Sequence, residues 1–143
     1  MSGKSGTLAE LGEDGVLALF NHPGGALGER VVVPNGDDAA AYVVEPRFTS
    51  VVTTDTLVEG LHFDFAHGPA AAVGRKLMAV NLSDIAPMGA RPRYALLSVC
   101  LPKPMRVETA QAIAGVSREM CESYGVAVIG GNVTGSPGPA MLT

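Results

Sequence analysis

A chain of 143 residues with 47% hydrophobic content holds enough apolar side chain for one core, so a single domain is the expected organisation. A formal net charge of −4, with no dense cluster of Lys or Arg, argues against a nucleic-acid surface. No run of ~18 apolar residues is available to cross a bilayer, and Met1-Ser2-Gly3-Lys4 does not open a signal peptide, so a cytoplasmic protein without a membrane partner is expected.

With 18 Gly, 10 Pro and 5% aromatics, the core must be built from Val, Leu, Ala, Ile and Met between sharp turns, which suits an α/β layer protein. Leu8, Leu11, Val16, Leu17, Leu19 and Phe20 follow a rough helical period interrupted by Gly12 and Gly15, predicting a short amphipathic helix. Val31–Val33, Ala40–Val44 and Ser50–Thr54 are β-prone runs bounded by Pro, Gly or Asp and read as two or three strands. From Pro69 to about Ala86 the chain is rich in helix formers. Pro69 suits a helix start, and Pro87 with Gly89 stops continuation.

Arg93 to Leu101 predicts a strand ending at Pro102, and Val107 to Tyr124 a helix carrying Ala110, Ile113, Ala114, Val116 and Met120 at helical spacing. Gly125 is placed to close that helix. Val126–Ile129 then reads as a short strand entering a glycine loop, Gly130-Gly131, and Ala140–Thr143 as the beginning of another strand. Cys100 and Cys121 lack CxxC spacing and read as small buried hydrophobes.

Three places carry oxygen ligands. Asp37-Asp38 follows Gly36 between strand candidates, although Asn-Gly-Asp-Asp is equally a turn signal. In Thr53-Thr54-Asp55-Thr56, alternation puts Thr53 and Asp55 on one face with Val51, so hydroxyl and carboxylate can converge; polar strand-end residues are the plainer reading. Asp84 lies in the last turn of the Pro69 helix, where the negative end of the dipole disfavours a carboxylate by ~0.3–1 kcal/mol, a cost that a bound cation would offset. Asn81, three residues earlier, shares its face, with Lys76 about a turn further back; an exposed polar stripe is the alternative.

Such hard oxygen ligands suit Mg²⁺. Gly130-Gly131-Asn132-Val133-Thr134-Gly135 is either a phosphate-approaching loop or a simple turn; without G-x-G-x-x-G or a following helix it is not a Rossmann site. Gly3-Lys4-Ser5 lacks the strand and first glycine of a Walker loop, and His62 has no spacing that suggests a triad.

Taken together, Gly36-Asp37-Asp38-Ala39-Ala40, the run Thr53-Thr54-Asp55-Thr56-Leu57-Val58-Glu59-Gly60-Leu61-His62-Phe63, the run Val80-Asn81-Leu82-Ser83-Asp84-Ile85-Ala86-Pro87-Met88-Gly89-Ala90-Arg91-Pro92, and Ile129-Gly130-Gly131-Asn132 closely resemble thiamine-monophosphate kinases. These belong with aminoimidazole ribonucleotide synthetase, selenophosphate synthetase and a hydrogenase-maturation protein. The resemblance implies a PurM-like N-terminal domain of α+β type, a mixed sheet with helices on one face that pairs with a second subunit's sheet in a homodimer. It also implies transfer of the γ-phosphoryl group of ATP to thiamine monophosphate with several Mg²⁺ ions, and no catalytic acid or base.

Carried over by position, Asp38, Thr53, Thr54, Asp55 and Asp84 match metal ligands, joined by Asn132. Gly131 and Asn132 match the nucleotide-binding pair, His62 a substrate contact, and Asp37 and Asn81 supporting groups. Asn132 stands where many members carry Asp, and Gly135 where some carry Arg. The resemblance further implies that residues 1–143 are the N-terminal part of the enzyme, inactive alone, with a second domain not encoded here. The alternatives are a related ATP-dependent synthetase or maturation factor, or a non-catalytic dimerisation or nucleotide-sensing module.

Overall fold

The computed structural model describes residues 6–21, 29–34 and 39–143. In chain order the elements are α1 (Leu8–Phe20), β1 (Val31–Val33), β2 (Ala41–Tyr42), β3 (Leu57–Val58), α2 (Ala70–Ile85), β4 (Tyr94–Pro102), α3 (Val107–Tyr124), β5 (Ala127–Ser136) and β6 (Met141–Leu142). β1 and β2 form a separate antiparallel pair. The main sheet is mixed, with order β3-β6-β4-β5: β4 and β5 run parallel, while β6 is antiparallel to both β3 and β4. A parallel pair needs a crossover of a dozen or more residues, and α3 supplies it.

The predicted helices stand where the sequence put them. α1 bends at Gly12, whose φ of 76° and ψ of 169° are closed to most other residues. α2 starts after Pro69, and α3 ends on Gly125 in the left-handed conformation, its N–H bonded to carbonyls of the last turn. α2 and α3 pack closely enough that a Cβ at Gly74 would lie 2.3 Å from the carbonyl oxygen of Ile113.

All three helices share one core with the sheet: Val16 and Phe20 from α1, Leu77 from α2, Ile113 from α3, Val99 from β4 and Leu142 from β6. Along β4, alternation turns Ala95, Leu97, Val99 and Leu101 towards the helices and Leu96, Ser98 and Cys100 away. Leu96 is 67% exposed, so among the described residues this second sheet face lies open. Cys121 is buried as expected, whereas Cys100, on the open face, is only half-buried, a correction to the reading of both as core.

Three strand expectations change. Only Ala41–Tyr42 of the 40–44 run pairs. Ser50–Thr54 forms no strand, because no partner lies beside it among the described residues. It still keeps a two-residue alternation, with Val51, Thr53 and Asp55 half-buried and Val52, Thr54 and Thr56 exposed.

The third change concerns the glycine loop, which is no loop: β5 runs through Gly130, Gly131 and Asn132 to Ser136. Its pairing passes from Ala95↔Val128 to Leu96↔Gly130, leaving Ile129 as a bulge. Beyond it, a Cβ at Gly131 would lie 1.9 Å from the carbonyl oxygen of Leu97, so close backbone approach explains this glycine without any phosphate. The strand expected at Ala140–Thr143 is present as β6.

Candidate functional site

The extended run 51–56 lies across the C-terminal half of α2. Thr53 Oγ1 donates to Asp84 Oδ2 at 2.7 Å, and the backbone N–H of Asp55 donates to Asn81 Oδ1 at 3.0 Å. Asn81 is itself fixed, since its Nδ2 donates to the Leu77 carbonyl one turn back at 3.0 Å. The i,i+3 spacing of Asn81 and Asp84 thus serves two neighbouring attachments to one segment. Asp84 stands in the last turn of α2, which contains no basic residue, and the Thr53 hydroxyl is the group that meets its charge.

Thr53, Thr54, Asn81, Gly131 and Asn132 line a single cleft of about 1400 Å³ between this segment, α2 and the sheet. Asn132 pairs with Ser98 in register and is exposed. Arg91, Arg93 and Arg118 also line the cleft. Arg91 and Arg93 come from the connection between α2 and β4 and Arg118 from α3, and together they form no run of charge that sequence reading would single out.

Gly36, Asp37 and Asp38 lie outside the described residues. His62 does not line the cleft. It occupies a tight turn after β3, where its Nδ1 accepts from the Val58 N–H at 3.0 Å and its carbonyl accepts from Lys76 Nζ on α2.

Among the described residues no three His, Cys, Asp or Glu side chains converge as a metal cluster. What converges is one carboxylate with one hydroxyl, beside the amide of Asn81 and the backbone of Asp55. This donor chemistry fits Mg²⁺, which takes only oxygen, is commonly held by one or two carboxylates plus substrate phosphates, and keeps several waters.

Residues 36–143 match the family described as AIR synthase related protein, N-terminal domain. The thiamine-monophosphate kinase of Synechococcus elongatus is 39% identical over 134 residues, covering 92% of this chain and 38% of that protein. The chain therefore spans well under half the length of this relative. The crystal structure of the thiamine-monophosphate kinase from Stenotrophomonas maltophilia K279a superposes with a TM-score of 0.70 at 32% identity, over 90% of this chain and 39% of that one. A structure of AaThiL complexed with AMPPCP and TMP gives 0.57 at 34% identity, over 62% of this chain and 28% of the other. On sequence and fold alike, this chain belongs to the AIR synthase related family and carries its N-terminal domain.

Proposed function

We propose that residues 1–143 are the ATP- and Mg²⁺-binding N-terminal domain of a thiamine-phosphate kinase, which converts thiamine monophosphate and ATP to thiamine diphosphate and ADP. The observation that carries this reading is the Thr53–Asp84 contact, which joins two segments far apart in sequence into one oxygen-rich site beside the cleft. The 39% identity to a thiamine-monophosphate kinase and the likeness to a structure complexed with AMPPCP and TMP supply the substrates.

In the reaction, an oxygen of the thiamine monophosphate phosphate forms a bond to the γ-phosphorus of ATP. The bond from that phosphorus to the β–γ bridging oxygen breaks, and ADP keeps the electron pair. The attacking oxygen is already anionic, so no general base is required and catalysis reduces to positioning and charge neutralisation. Asp38, Thr53, Thr54, Asp55, Asp84 and Asn132 are the residues assigned to hold Mg²⁺, with Asp37 a supporting acid, and the ion when bound would supply positive charge to the crowded phosphates. Gly131 and Asn132 are assigned to the nucleotide. Asn81 is the positioning residue that holds the Asp55 backbone.

The open sheet face of Leu96, Ser98 and Cys100 is where a second copy would pair, giving a homodimer. The test is the native protein with ATP and Mg²⁺, offered thiamine monophosphate or formylglycinamidine ribonucleotide and followed by phosphorus NMR. Thiamine diphosphate supports the reading. Turnover of the rival alone points to a related synthetase, and nucleotide binding without transfer to a non-catalytic module.

A further inference from the structure

Thr53, Thr54 and Asp55 are assigned to the ion, yet residues 51–56 pair with no strand among the described residues, so side-chain bonds must hold them in place. Both partners of the Thr53–Asp84 bond are themselves assigned as ligands, so that bond competes with the ion for the same oxygens. Asn81 holds the Asp55 N–H at 3.0 Å. The next attachment lies one residue on, where the hydroxyls of Thr56 and Thr143 share a hydrogen bond, Oγ1 to Oγ1, at 2.9 Å.

Strand register explains why these hydroxyls meet. β3 and β6 pair Leu57↔Leu142 and Val58↔Met141, and one further step of that ladder sets Thr56 opposite Thr143. On its other side Thr143 stands opposite Ser98: its N–H donates to the Ser98 carbonyl and its carbonyl accepts from the Ser98 N–H, both at 2.8 Å. Ser98 in turn pairs with Asn132. Thr56, Thr143, Ser98 and Asn132 therefore form one polar row across the whole sheet, on the face turned away from the helices. The neighbouring positions of that face on β4 and β6 are Leu96, Cys100 and Met141, so hydroxyls are not its general rule. The row runs from the residue after Asp55 to Asn132, and Thr143 lines the cleft with Asn132.

We propose that Thr143 is a positioning residue for the phosphoryl-transfer site. Its hydroxyl fixes Thr56 and thereby the neighbouring Asp55 carboxylate, while its backbone bonds to Ser98 keep that carboxylate in register with Asn132 on β5. Asp55 is thus held from both sides, by Asn81 of α2 at its own N–H and by β6 at the residue that follows. What Asp55 is positioned for rests on the kinase reading; the clamp itself does not.

The test compares the native protein as wild type, Thr143→Val, Thr143→Ser, Thr56→Val and the double variant Thr56→Val/Thr143→Val. Val keeps the shape and strand preference of Thr without its hydroxyl. Urea unfolding establishes that each variant folds, and Thr56→Val reads the same bond should Thr143→Val not do so. The two further readouts are hydrogen exchange of the Asp55 amide without ligand, and calorimetric titration with Mg²⁺ and a non-hydrolysable ATP analogue. Either Val variant should speed exchange at Asp55 about fivefold, the scale of one net hydrogen bond. It should also weaken binding of the nucleotide with Mg²⁺ about tenfold, the lower end of what outer-shell partners of a metal cost. Thr143→Ser should stay within about twofold of the wild type in both. The double variant should be no worse than either single one, because both remove the same bond.

Unchanged exchange at Asp55 in both Val variants, additive losses in the double variant, or a loss that Thr143→Ser fails to recover overturns the proposal. So does lower stability in urea with exchange at Asp55 and nucleotide affinity both unchanged, the mark of a merely structural bond. Faster exchange in the Val variants of a protein that binds no nucleotide even as wild type supports the clamp while removing the kinase reading.

Discussion

Asp84 shows how a single side chain can work against its own element. Its charge opposes the α2 dipole, and the Thr53 hydroxyl is the partner that meets it. Asp84→Asn keeps an acceptor for Thr53 while removing the charge. Thermal unfolding should therefore show stability unchanged or raised by up to ~0.5 kcal/mol. Calorimetric titration of the native protein with Mg²⁺ and a non-hydrolysable ATP analogue should show affinity falling about 100-fold or more, the upper end of what outer-shell partners of a metal cost. Cys121 is a second residue-scale case. Burial of its thiol, with Glu122 adding repulsion, raises its pKa to about 11, so at pH 8 it stays a thiol. Alkylation at that pH should modify Cys100 first and reach Cys121 only on unfolding, as read by mass spectrometry.

At the scale of elements, the helices were legible because their punctuation is chemical: Pro69 opens α2, Gly125 closes α3, and the apolar positions between keep one period. β5 was not legible, since a glycine pair after four apolar residues signals a loop. What keeps it a strand is its parallel pairing with β4, more than thirty residues away in sequence, with the Leu97 carbonyl so close to Gly131 that only glycine fits there. Gly131→Ala should cost at least ~2 kcal/mol in urea unfolding, and Gly74→Ala ~1–3 kcal/mol, both by forcing packed backbones apart.

α1 adds a pH dependence. The Thr7 N–H donates to Glu10 Oε2 at 2.7 Å and its hydroxyl at 3.1 Å, in that order of effect holding the carboxyl below its ordinary value. A carboxylate depressed in the folded state contributes stability that is present above its unfolded pKa and lost as pH falls through the folded one. Glu10→Gln should therefore lower the melting temperature in the neutral region and converge with the wild type in acid, flattening the acid limb of the curve.

For the whole molecule, the resemblance implied one helix-covered sheet, and patterning showed β4 and the start of β6 but not β3, because a two-residue strand between turns carries too little pattern to be seen. Much of the candidate site was legible as motifs, and the alternation of 51–56 survives in its burial. The pairing of Thr53 with Asp84 was not, since nothing local encodes a contact across 31 positions. If the open face is the dimer seam, Leu96→Glu should yield a monomer in sedimentation equilibrium and speed alkylation of Cys100. A wild type that is monomeric at working concentration would remove the seam.

The bulge at Ile129 sets the phase of everything after it. Were Ile129 paired opposite Leu96 instead of bulged, Asn132 would stand opposite Val99 and point into the helices, and Val133 would take its place on the open face. Drawing Ile129 into the ladder would thus be a frameshift in three dimensions, in which the residues downstream keep their order and their strand but exchange faces. Deleting Ile129, by contrast, would leave Gly130 opposite Leu96 and the phase unchanged. The cleft's polar wall depends on the isoleucine staying unpaired as much as on the asparagine it exposes.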